Sequence, residues 1–385
     1  MCGRKRIFFK KRIKESKQKR TKKEEQNRTE QKQKNKRTKT KMASSKDDDD
    51  KDDTRVPVTI LTGYLGSGKT TLLNRILKEN PPGKKLAVIE NEFGEIGIDG
   101  ALVPQKYQTD EEILEMNNGC VCCTVRGDLI KILNKLLRRG KKLDGIIIET
   151  TGLADPAPVC STFFMDAAIR ERARLDAIIT VLDAKHIVMH LDDKERAEGV
   201  ENESAEQIAF ADRILLNKTD LVKEEELPGI EDRIRALNRG CKIIRCTHAN
   251  VPLSDLIDIR AFDLDEVVKM DPEFLSEDAE HQHDDSIKSV GASIVGEMDM
   301  TKLNAWLSRL LQEQGQNIFR MKGILSVRHQ EQKFVFQAVH MVFQGEPAPI
   351  KWAPNEVRES KIIFIGRRLD KEEILRNFRL CLSQD

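Results

Sequence analysis

The sequence predicts an α/β fold in which a doubly wound, mostly parallel sheet is followed by a smaller α+β domain. The first observation is a series of seven apolar runs between residues 56 and 246, most of them separated by amphipathic stretches. Such runs are typical of parallel strands, because crossover helices bury both faces of the sheet. The second observation is a change of rhythm after residue 286, which suits an antiparallel sheet.

The individual elements follow from length and apolar spacing. The predicted strands of the parallel sheet lie at 56–61, 85–90, 111–116, 143–149, 175–183, 212–217 and 242–246. Amphipathic segments at 70–80 and 129–139 are predicted to be helices that pack on this sheet. In the second part, helices are predicted at 300–314 and 370–382, with strands formed by the apolar runs around them.

Composition divides the chain into four parts. Residues 1–53 form a charged extension, in which residues 1–41 hold 19 Lys and Arg against 4 Asp and Glu, whereas the remainder of the chain holds 47 against 60. We expect this extension to be disordered, because it lacks the apolar residues of a core; it is a solvated tail or a nucleic-acid or nuclear-import arm. Residues 54–262 and 286–385 are the predicted domains, and 263–285, with ten Asp and Glu, are an acidic linker.

Several classes of protein are excluded by the sequence. No run approaches the roughly 18 consecutive apolar residues of a membrane span, and the basic start has no apolar core of a secretory signal. Eight cysteines in 385 residues are too few for a disulfide scaffold. We therefore expect a reducing, cytoplasmic setting, with the nucleus and the plastid left open.

A glycine-rich motif follows the first predicted strand and opens the first predicted helix. The residues G-Y-L-G-S-G-K-T fit the P-loop pattern, in which glycines let backbone N–H groups wrap a phosphate at a helix N-terminus. We expect Lys69 to reach the β- and γ-phosphates and Thr70 to ligate Mg²⁺, which predicts a P-loop NTPase fold. The predicted nucleotide-binding residues of this motif are Gly63, Gly66, Ser67, Gly68, Lys69, Thr70 and Thr71.

A second motif predicts which base is bound. Asn217, Lys218 and Asp220 form N-K-T-D directly after an apolar strand. A carboxylate can accept hydrogen bonds from both N1–H and the exocyclic amine of guanine, whereas adenine offers no matching pair of donors. The predicted ligands are therefore GTP and GDP.

The segment I-I-I-E-T-T-G supplies a third element of the nucleotide site. Glu149 ends an apolar strand and is expected near Mg²⁺, and Gly152 can offer an N–H close to the γ-phosphate. The predicted catalytic residues are thus Lys69, Thr70 and Glu149. The sequence shows no obvious catalytic glutamine or arginine finger, so slow intrinsic hydrolysis is expected.

Three cysteines crowd together after the strand at 111–116. Cys120, Cys122 and Cys123 form C-V-C-C, which in an extended geometry cannot easily close a tetrahedral cage. Because ligands collect at the carboxyl ends of parallel strands, Glu90 and Glu95 are plausible further ligands. Thiolate ligands favour Zn²⁺ or Cu(I) over Mg²⁺. A redox pair or buried inert cysteines, with solvated acids, remain the alternatives.

Three histidines are weaker candidates. His186 follows the strand that ends in Asp183, at the same edge of the predicted sheet. His281 and His283 lie in the acidic segment, where a solvated linker is favoured over a metal-collecting arm.

These motifs together resemble the CobW family of P-loop GTPases, which are zinc-regulated metallochaperones. The matching pieces are TGYLGSGKTTLLN, IENEFGEIGID, NNGCVCCTVRGDL, IIIETTGLADPAPV, ILLNKTDL and FRMKGILSV. The resemblance implies that Glu90, Glu95 and Cys122 are ligands of zinc or another transition metal, with Cys120 and Cys123 beside them. It also implies a CobW C-terminal domain and GTP hydrolysis coupled to metal delivery to a client metalloprotein.

The sequence also departs from that family. A long His-rich tract is reduced to His281 and His283, and no C-P-E-L-like docking motif precedes the P-loop. A zinc buffer or sensor with incidental GTP turnover, and a regulatory GTPase without a metal role, are the alternative functions. The client and the oligomeric state, including a homo-oligomer, stay open.

Overall fold

The structure is a computed structural model, which describes residues 53–90, 112–115, 122–138, 143–152, 156–193, 202–262, 287–340 and 342–383. For residues 90, 112–115 and 122–126 it describes the backbone only. The predicted linker and nearly all of the predicted N-terminal extension lie outside the described residues. The four predicted parts of the chain therefore stay predictions.

The first half of the chain builds a seven-stranded parallel sheet. Its strands are arranged in the order β3-β2-β4-β1-β5-β6-β7, and every neighbouring pair is parallel. The strands are β1 Val56–Thr62, β2 Leu86–Glu90, β3 Glu112–Glu115, β4 Gly145–Glu149, β5 Ala173–Asp183, β6 Arg213–Asn217 and β7 Lys242–Arg245. All seven predicted strands are confirmed.

Helices connect these strands and cover both faces of the sheet. They are α1 Lys69–Glu79, α2 Cys122–Arg138, α3 Ala157–Met165, α4 Ala167–Arg170, α5 Ile187–Asp192, α6 Glu203–Phe210 and α7 Leu227–Leu237. Val58 and Ile60 of β1 pack towards α2 and α3, whereas Leu61 packs towards α1. Burial of both strand faces explains why the strands are apolar runs without alternation.

The second half of the chain builds a five-stranded antiparallel sheet with two helices. Its strand order is β11-β10-β9-β12-β8, and every neighbouring pair is antiparallel. The elements are β8 Lys288–Val295, α8 Met300–Gln314, β9 Ile318–Leu325, β10 Gln332–Val339, β11 Val342–Lys351, β12 Glu359–Gly366 and α9 Lys371–Leu380. The predicted fold class, including the α+β second part, is confirmed.

The two faces of this C-terminal sheet have different partners. Helices α8 and α9 cover one face, where Trp306 packs against Phe364 and Phe378. Phe319 and Val339 contribute instead to the core that the parallel sheet forms with α2 and α3. The C-terminal sheet is therefore packed directly on the nucleotide-binding half.

One expectation about local structure is wrong, and one strand was not predicted. Helix α2 begins at Cys122 rather than near residue 129, so the backbone at Cys122 and Cys123 is helical and not extended. The unpredicted strand is β11, which contains the poor strand formers Gly345, Pro347 and Pro349. It forms at the edge of the sheet, the position where a strand tolerates proline.

Among the described residues, no helix is long and apolar enough to cross a membrane.

Candidate functional site

The P-loop is a tight turn between β1 and α1 that only glycine can make. Gly63, Gly66 and Gly68 have φ angles of 141°, 76° and 113°, which side chains at Cβ disfavour. A Cβ on Gly63 would lie 2.2 Å from the carbonyl oxygen of Val181, and one on Gly68 would lie 2.5 Å from Nδ2 of Asn217. The loop is thus packed tightly against the ends of β5 and β6, and its left-handed backbone has the geometry that a phosphate cradle needs.

Polar side chains of the P-loop are aimed into this cradle. The ammonium of Lys69 is almost fully buried and donates to the carbonyl oxygen of Gly63 at 2.7 Å and to that of Tyr64 at 3.3 Å. Ser67 Oγ is buried and has no partner among the described residues. An unpaired buried hydroxyl costs free energy, so a ligand that supplies acceptor oxygens fits this loop. Thr70 follows at the start of α1, partly accessible.

The N-K-T-D motif is joined directly to the P-loop. Asn217 Nδ2 donates to the carbonyl oxygen of Ser67 at 3.0 Å, and Lys218 Nζ donates to that of Gly66 at 2.7 Å. Both side chains come from the carboxyl end of β6, two strands away from β1 in the sheet. These bonds bring the predicted base-binding and phosphate-binding residues into one site.

The base end of the site has a second wall that the sequence did not reveal. After β7 the chain turns back through His248 and Ala249, whose φ angles of 51° and 54° are left-handed. The N–H of Ala249 donates to Asn217 Oδ1 at 2.9 Å, and Thr219 Oγ1 donates to the carbonyl oxygen of Cys246 at 3.1 Å. Asp220 lies exposed next to this turn, free of the sheet and open to a base.

Asp183 is a further residue of the site that the sequence did not single out. Its carboxylate accepts from Lys218 Nζ at 2.8 Å and contacts His186 Nδ1 at 3.0 Å. Partial burial by itself would raise the pKa of Asp183, but the hydrogen bonds from Lys218 and His186 outweigh it and hold the pKa below its ordinary value. Asp183 therefore stays ionised and fixes Lys218 over the P-loop. The feature of the sequence that could have identified Asp183 is an acid at the end of an apolar strand, as at Glu149.

The predicted switch segment lies beside the P-loop. Thr150 is buried, and its N–H donates to the carbonyl oxygen of Leu61 at 2.9 Å. Gly152 lies so close to the P-loop that a Cβ would be 2.6 Å from the amide nitrogen of Leu65. Glu149 is partly buried at the end of β4. The acid and the glycine therefore reach the same sheet edge as the P-loop.

The sheet register also brings one predicted metal ligand to this edge. Glu90 ends β2 and pairs in register with Glu149 on one side and Glu115 on the other. Helix α2 begins at Cys122, seven residues after Glu115, where the neighbouring strand β3 ends. The side chains of the five predicted zinc ligands lie outside the part that the structure describes. They are Glu90, Glu95, Cys120, Cys122 and Cys123.

The remaining residues to place are four buried cysteines and the two linker histidines. Cys160, Cys241, Cys246 and Cys381 are buried and form no disulfide among the described residues, as expected for structural positions, and burial raises the pKa of Cys246 to about 11. The candidates His281 and His283 lie outside the described residues.

The strand, glycine loop and helix, with the N-K-T-D side chains bonded to the loop, define a P-loop nucleotide-binding protein with the layout of a GTPase. A family model described as the CobW/HypB/UreG nucleotide-binding domain matches residues 57–245. A second, the cobalamin synthesis protein cobW C-terminal domain, matches residues 287–382. The chain belongs to the CobW family of P-loop GTPases, which confirms the resemblance and the enzyme class predicted from the sequence.

One bacterial and one fungal relative match most of the chain. The chain is 34% identical over 325 residues to the zinc chaperone YjiA of Escherichia coli, covering 83% of this chain and 96% of that relative. It is 33% identical over 352 residues to zinc-regulated GTPase metalloprotein activator 1 of Schizosaccharomyces pombe, covering 82% and 83%. The crystal structure of Zn(II)-bound YjiA GTPase from E. coli superposes with a TM-score of 0.66, 27% identity, and coverage of 86% of this chain and 99% of that one.

Proposed function

We propose that this protein is a GTP-hydrolysing metallochaperone that binds zinc and transfers it to a client metalloprotein. The observation that carries the proposal is the sheet register. Glu90, which belongs to the predicted metal set, lies directly beside Glu149, which belongs to the predicted nucleotide set. Two sites on one sheet edge can share the segments that respond to the γ-phosphate.

The residues of the nucleotide site have distinct proposed roles. The backbone and side chains from Gly63 to Thr71 hold the phosphates, and Asp220 selects guanine together with Asn217 and Lys218. Thr70 and Glu149 would hold Mg²⁺, which would neutralise charge on the β- and γ-phosphates. The buried Lys69 ammonium is already aimed into the loop, so it needs little rearrangement to bridge those phosphates.

The proposed reaction is hydrolysis of the β–γ phosphoanhydride. Water attacks the γ-phosphorus, the bond from that phosphorus to the bridging oxygen breaks, and GDP, inorganic phosphate and a proton are released. Lys69 stabilises the charge that develops on the bridging and γ-oxygens. The N–H of Gly152 is held against the P-loop by its close approach to Leu65 and is the proposed donor to the γ-phosphate.

Zinc is the proposed cargo. Cys120, Cys122 and Cys123 with Glu90 and Glu95 form the proposed ligand set, a mixture of soft and hard donors that suits Zn²⁺. The relatives named as zinc chaperones and zinc-regulated activators support zinc as the metal and metalloproteins as the clients. A zinc buffer differs from a chaperone in one respect, because its zinc affinity does not depend on the nucleotide.

Calorimetric titration of zinc into nucleotide-free, GDP-bound and GTP-analogue-bound protein tests the proposal. We expect the GTP-analogue form to bind zinc most tightly, and by linkage zinc should raise the affinity for the analogue by the same factor. Cys122→Ser is the control variant, which should lower zinc affinity and remove the coupling while leaving analogue binding without zinc intact. Equal zinc affinity in all three states would favour the buffer.

A further inference from the structure

Helix α6 lies between the parallel sheet and the C-terminal sheet and is buried along almost its whole length. Every side chain from Ser204 to Phe210 is buried, including those of Glu206 and Gln207. Buried polar groups need partners within the protein, because unpaired ones cost free energy. The partners of α6 lie on both of its sides: Gly152 and Thr180 on the side of the parallel sheet, and cations of the C-terminal half on the other. Asn238 binds the carbonyl oxygens at the end of the helix.

On the nucleotide side, α6 holds the switch segment. The side-chain amide of Gln207 donates to the carbonyl oxygen of Gly152 at 3.0 Å. The backbone carbonyl of Gln207 accepts from Thr180 Oγ1 at 2.8 Å, which ties the helix to β5. Gly152 is thus confined between Gln207 on one side and the P-loop residue Leu65 on the other.

On the opposite side, α6 and the turn that follows it are bound by cations of the C-terminal sheet. The guanidinium of Arg320 donates to the carbonyl oxygen of Phe210 and to the carboxylate of Asp212. Lys322 Nζ donates to the same carboxylate at 3.2 Å. Arg367 lies 3.8 Å from Glu206. One two-turn helix therefore contacts both the switch segment and the second domain.

The other end of the Gln207 amide has no partner among the described residues. Gln207 is fully buried, and its Oε1 accepts no hydrogen bond from them. The bond from Nε2 to the carbonyl oxygen of Gly152 is therefore what ties this side chain to the switch segment.

We propose that Gln207 is a positioning residue for GTP hydrolysis and that α6 transmits the nucleotide state to the C-terminal sheet. Gln207 fixes the carbonyl of Gly152 and so aims the N–H of the same residue towards the γ-phosphate. When Gly152 moves on GTP binding, Gln207 moves with it, and the bonds of Arg320 and Arg367 carry the shift into the second domain. Metal delivery plays no part in this inference, so its tests are done without zinc and can fail independently of the proposed function.

The chain offers a matched control for Gln207. Gln337 of β10 is also buried, its amide donates to the carbonyl oxygen of Phe262, and its Oε1 also has no partner among the described residues. Gln207→Met and Gln337→Met thus delete the same kind of bond, and only Gln207 touches the switch segment. We expect Gln207→Met to lower kcat about three- to tenfold, the value of one hydrogen bond, with KM for GTP within about twofold. Gln337→Met should keep the wild-type kcat, and equal kcat in the two variants would overturn the positioning role.

A second variant provides a readout that a purely structural role would not change. In Gln207→Glu, the ionised carboxylate cannot donate to Gly152, whereas the protonated carboxyl can. We expect kcat of this variant, relative to wild type, to rise as the pH falls. A ratio that does not change with pH, together with a folded protein, counts against a hydrogen bond from residue 207 to Gly152.

Transmission to the second domain can be measured by fluorescence. The two tryptophans of the chain, Trp306 and Trp352, both lie in the C-terminal half. We expect tryptophan emission to differ between the GDP and GTP-analogue forms of the wild type and of Gln337→Met, and the difference to vanish in Gln207→Met. Emission that is independent of nucleotide in the wild type, or a difference that survives in Gln207→Met, would overturn the transmission through α6.

Discussion

Helices α1 and α6 both border the nucleotide site and both bury apolar residues, but the polar contacts of α6 reach the second domain. Helix α1 begins within the P-loop and buries Leu72, Leu73, Ile76 and Leu77 against the sheet, while its other side faces solvent. Helix α6 is buried on all sides, and beyond its apolar contacts it is fixed by the directed bonds of Gln207 and of the Phe210 carbonyl.

We infer different functions for the two helices: α1 is a rigid support for the P-loop side chains, and α6 connects the nucleotide site to the second domain. Apolar contact has no preferred direction and scales with the area removed from water, so α1 carries Lys69 and Thr70 on a firm base whatever the nucleotide. A hydrogen bond exists only in a narrow range of geometry, so a helix held by such bonds changes position in steps. We therefore expect damage to α1 to remove activity or stability, and damage around α6 to remove communication.

The largest effect is expected at the start of α1. Lys69→Ala should lower GTP turnover by about 10²- to 10³-fold, because it removes the cation that faces the developing phosphate charge. Steady-state phosphate release measures this. Lys78→Ala, an exposed change in the last turn of the same helix, is the control and should turn over GTP at the wild-type rate. Turnover by Lys69→Ala within a few-fold of wild type would place catalysis elsewhere.

The next effect concerns the charges at the end of α6. Asp212→Ala leaves the guanidinium of Arg320 and the ammonium of Lys322 buried without their carboxylate. We expect the free energy of unfolding in urea to fall by about 3–5 kcal/mol, the usual result of removing one partner of a buried ion pair.

A triple variant shows whether these charges stabilise the fold or only orient it. Replacing all three by apolar residues, as Asp212→Leu, Arg320→Met and Lys322→Met together, should recover most of the stability while losing the nucleotide-dependent tryptophan signal. If the triple variant is as unstable as Asp212→Ala, the cluster stabilises the interface by itself and the contrast with α1 does not hold.

The smallest effect is a pH dependence that comes from Lys322. Burial, with repulsion from Arg320, lowers the pKa of Lys322 from 10.5 to about 8. Between pH 8 and pH 10.5 the unfolded chain keeps the Lys322 proton that the folded chain has lost, so the free energy of unfolding rises with pH over this range. Below pH 8 both states carry the proton, and the full cost of burying the charged ammonium lowers the free energy of unfolding. The difference between wild type and Lys322→Met isolates this slope. The buried thiol of Cys241, whose pKa is raised to about 12 by burial and lowered in part by Lys322, opposes this slope, so both proteins are compared in a Cys241→Ala background. Parallel pH profiles would contradict the burial of a charged Lys322.

The strands of the parallel sheet could be predicted because burial on both faces leaves one simple pattern. Runs such as Gly145–Glu149 are apolar throughout, and the glycines after β1 mark the loop. The sequence failed where context outweighs local preference. The segment Val342–Lys351 contains two prolines and still forms an edge strand, and α2 extends through Gly127 to Cys122.

The candidate site was predictable where chemistry is confined to a short motif. The P-loop and N-K-T-D residues are adjacent in sequence to the strands that place them, so it could be predicted without a structure that Lys69 and Asn217 lie in one site. Gln207 could not, because its proposed function depends on a helix enclosed by two sheets, and strand β9 of the second sheet lies more than 100 residues further along the chain. A polar residue on a helix normally indicates a solvent-exposed face.

The proposed function requires that GTP hydrolysis gives metal transfer its direction. Zinc-loaded protein can be mixed with Mg²⁺ and GTP in a single turnover, in the presence of a chromogenic zinc chelator, while phosphate release is followed in parallel. We expect zinc to reach the chelator with the rate constant of phosphate release, and both steps to be lost with a non-hydrolysable analogue and in Lys69→Ala. Zinc release that proceeds equally fast without hydrolysis would contradict it.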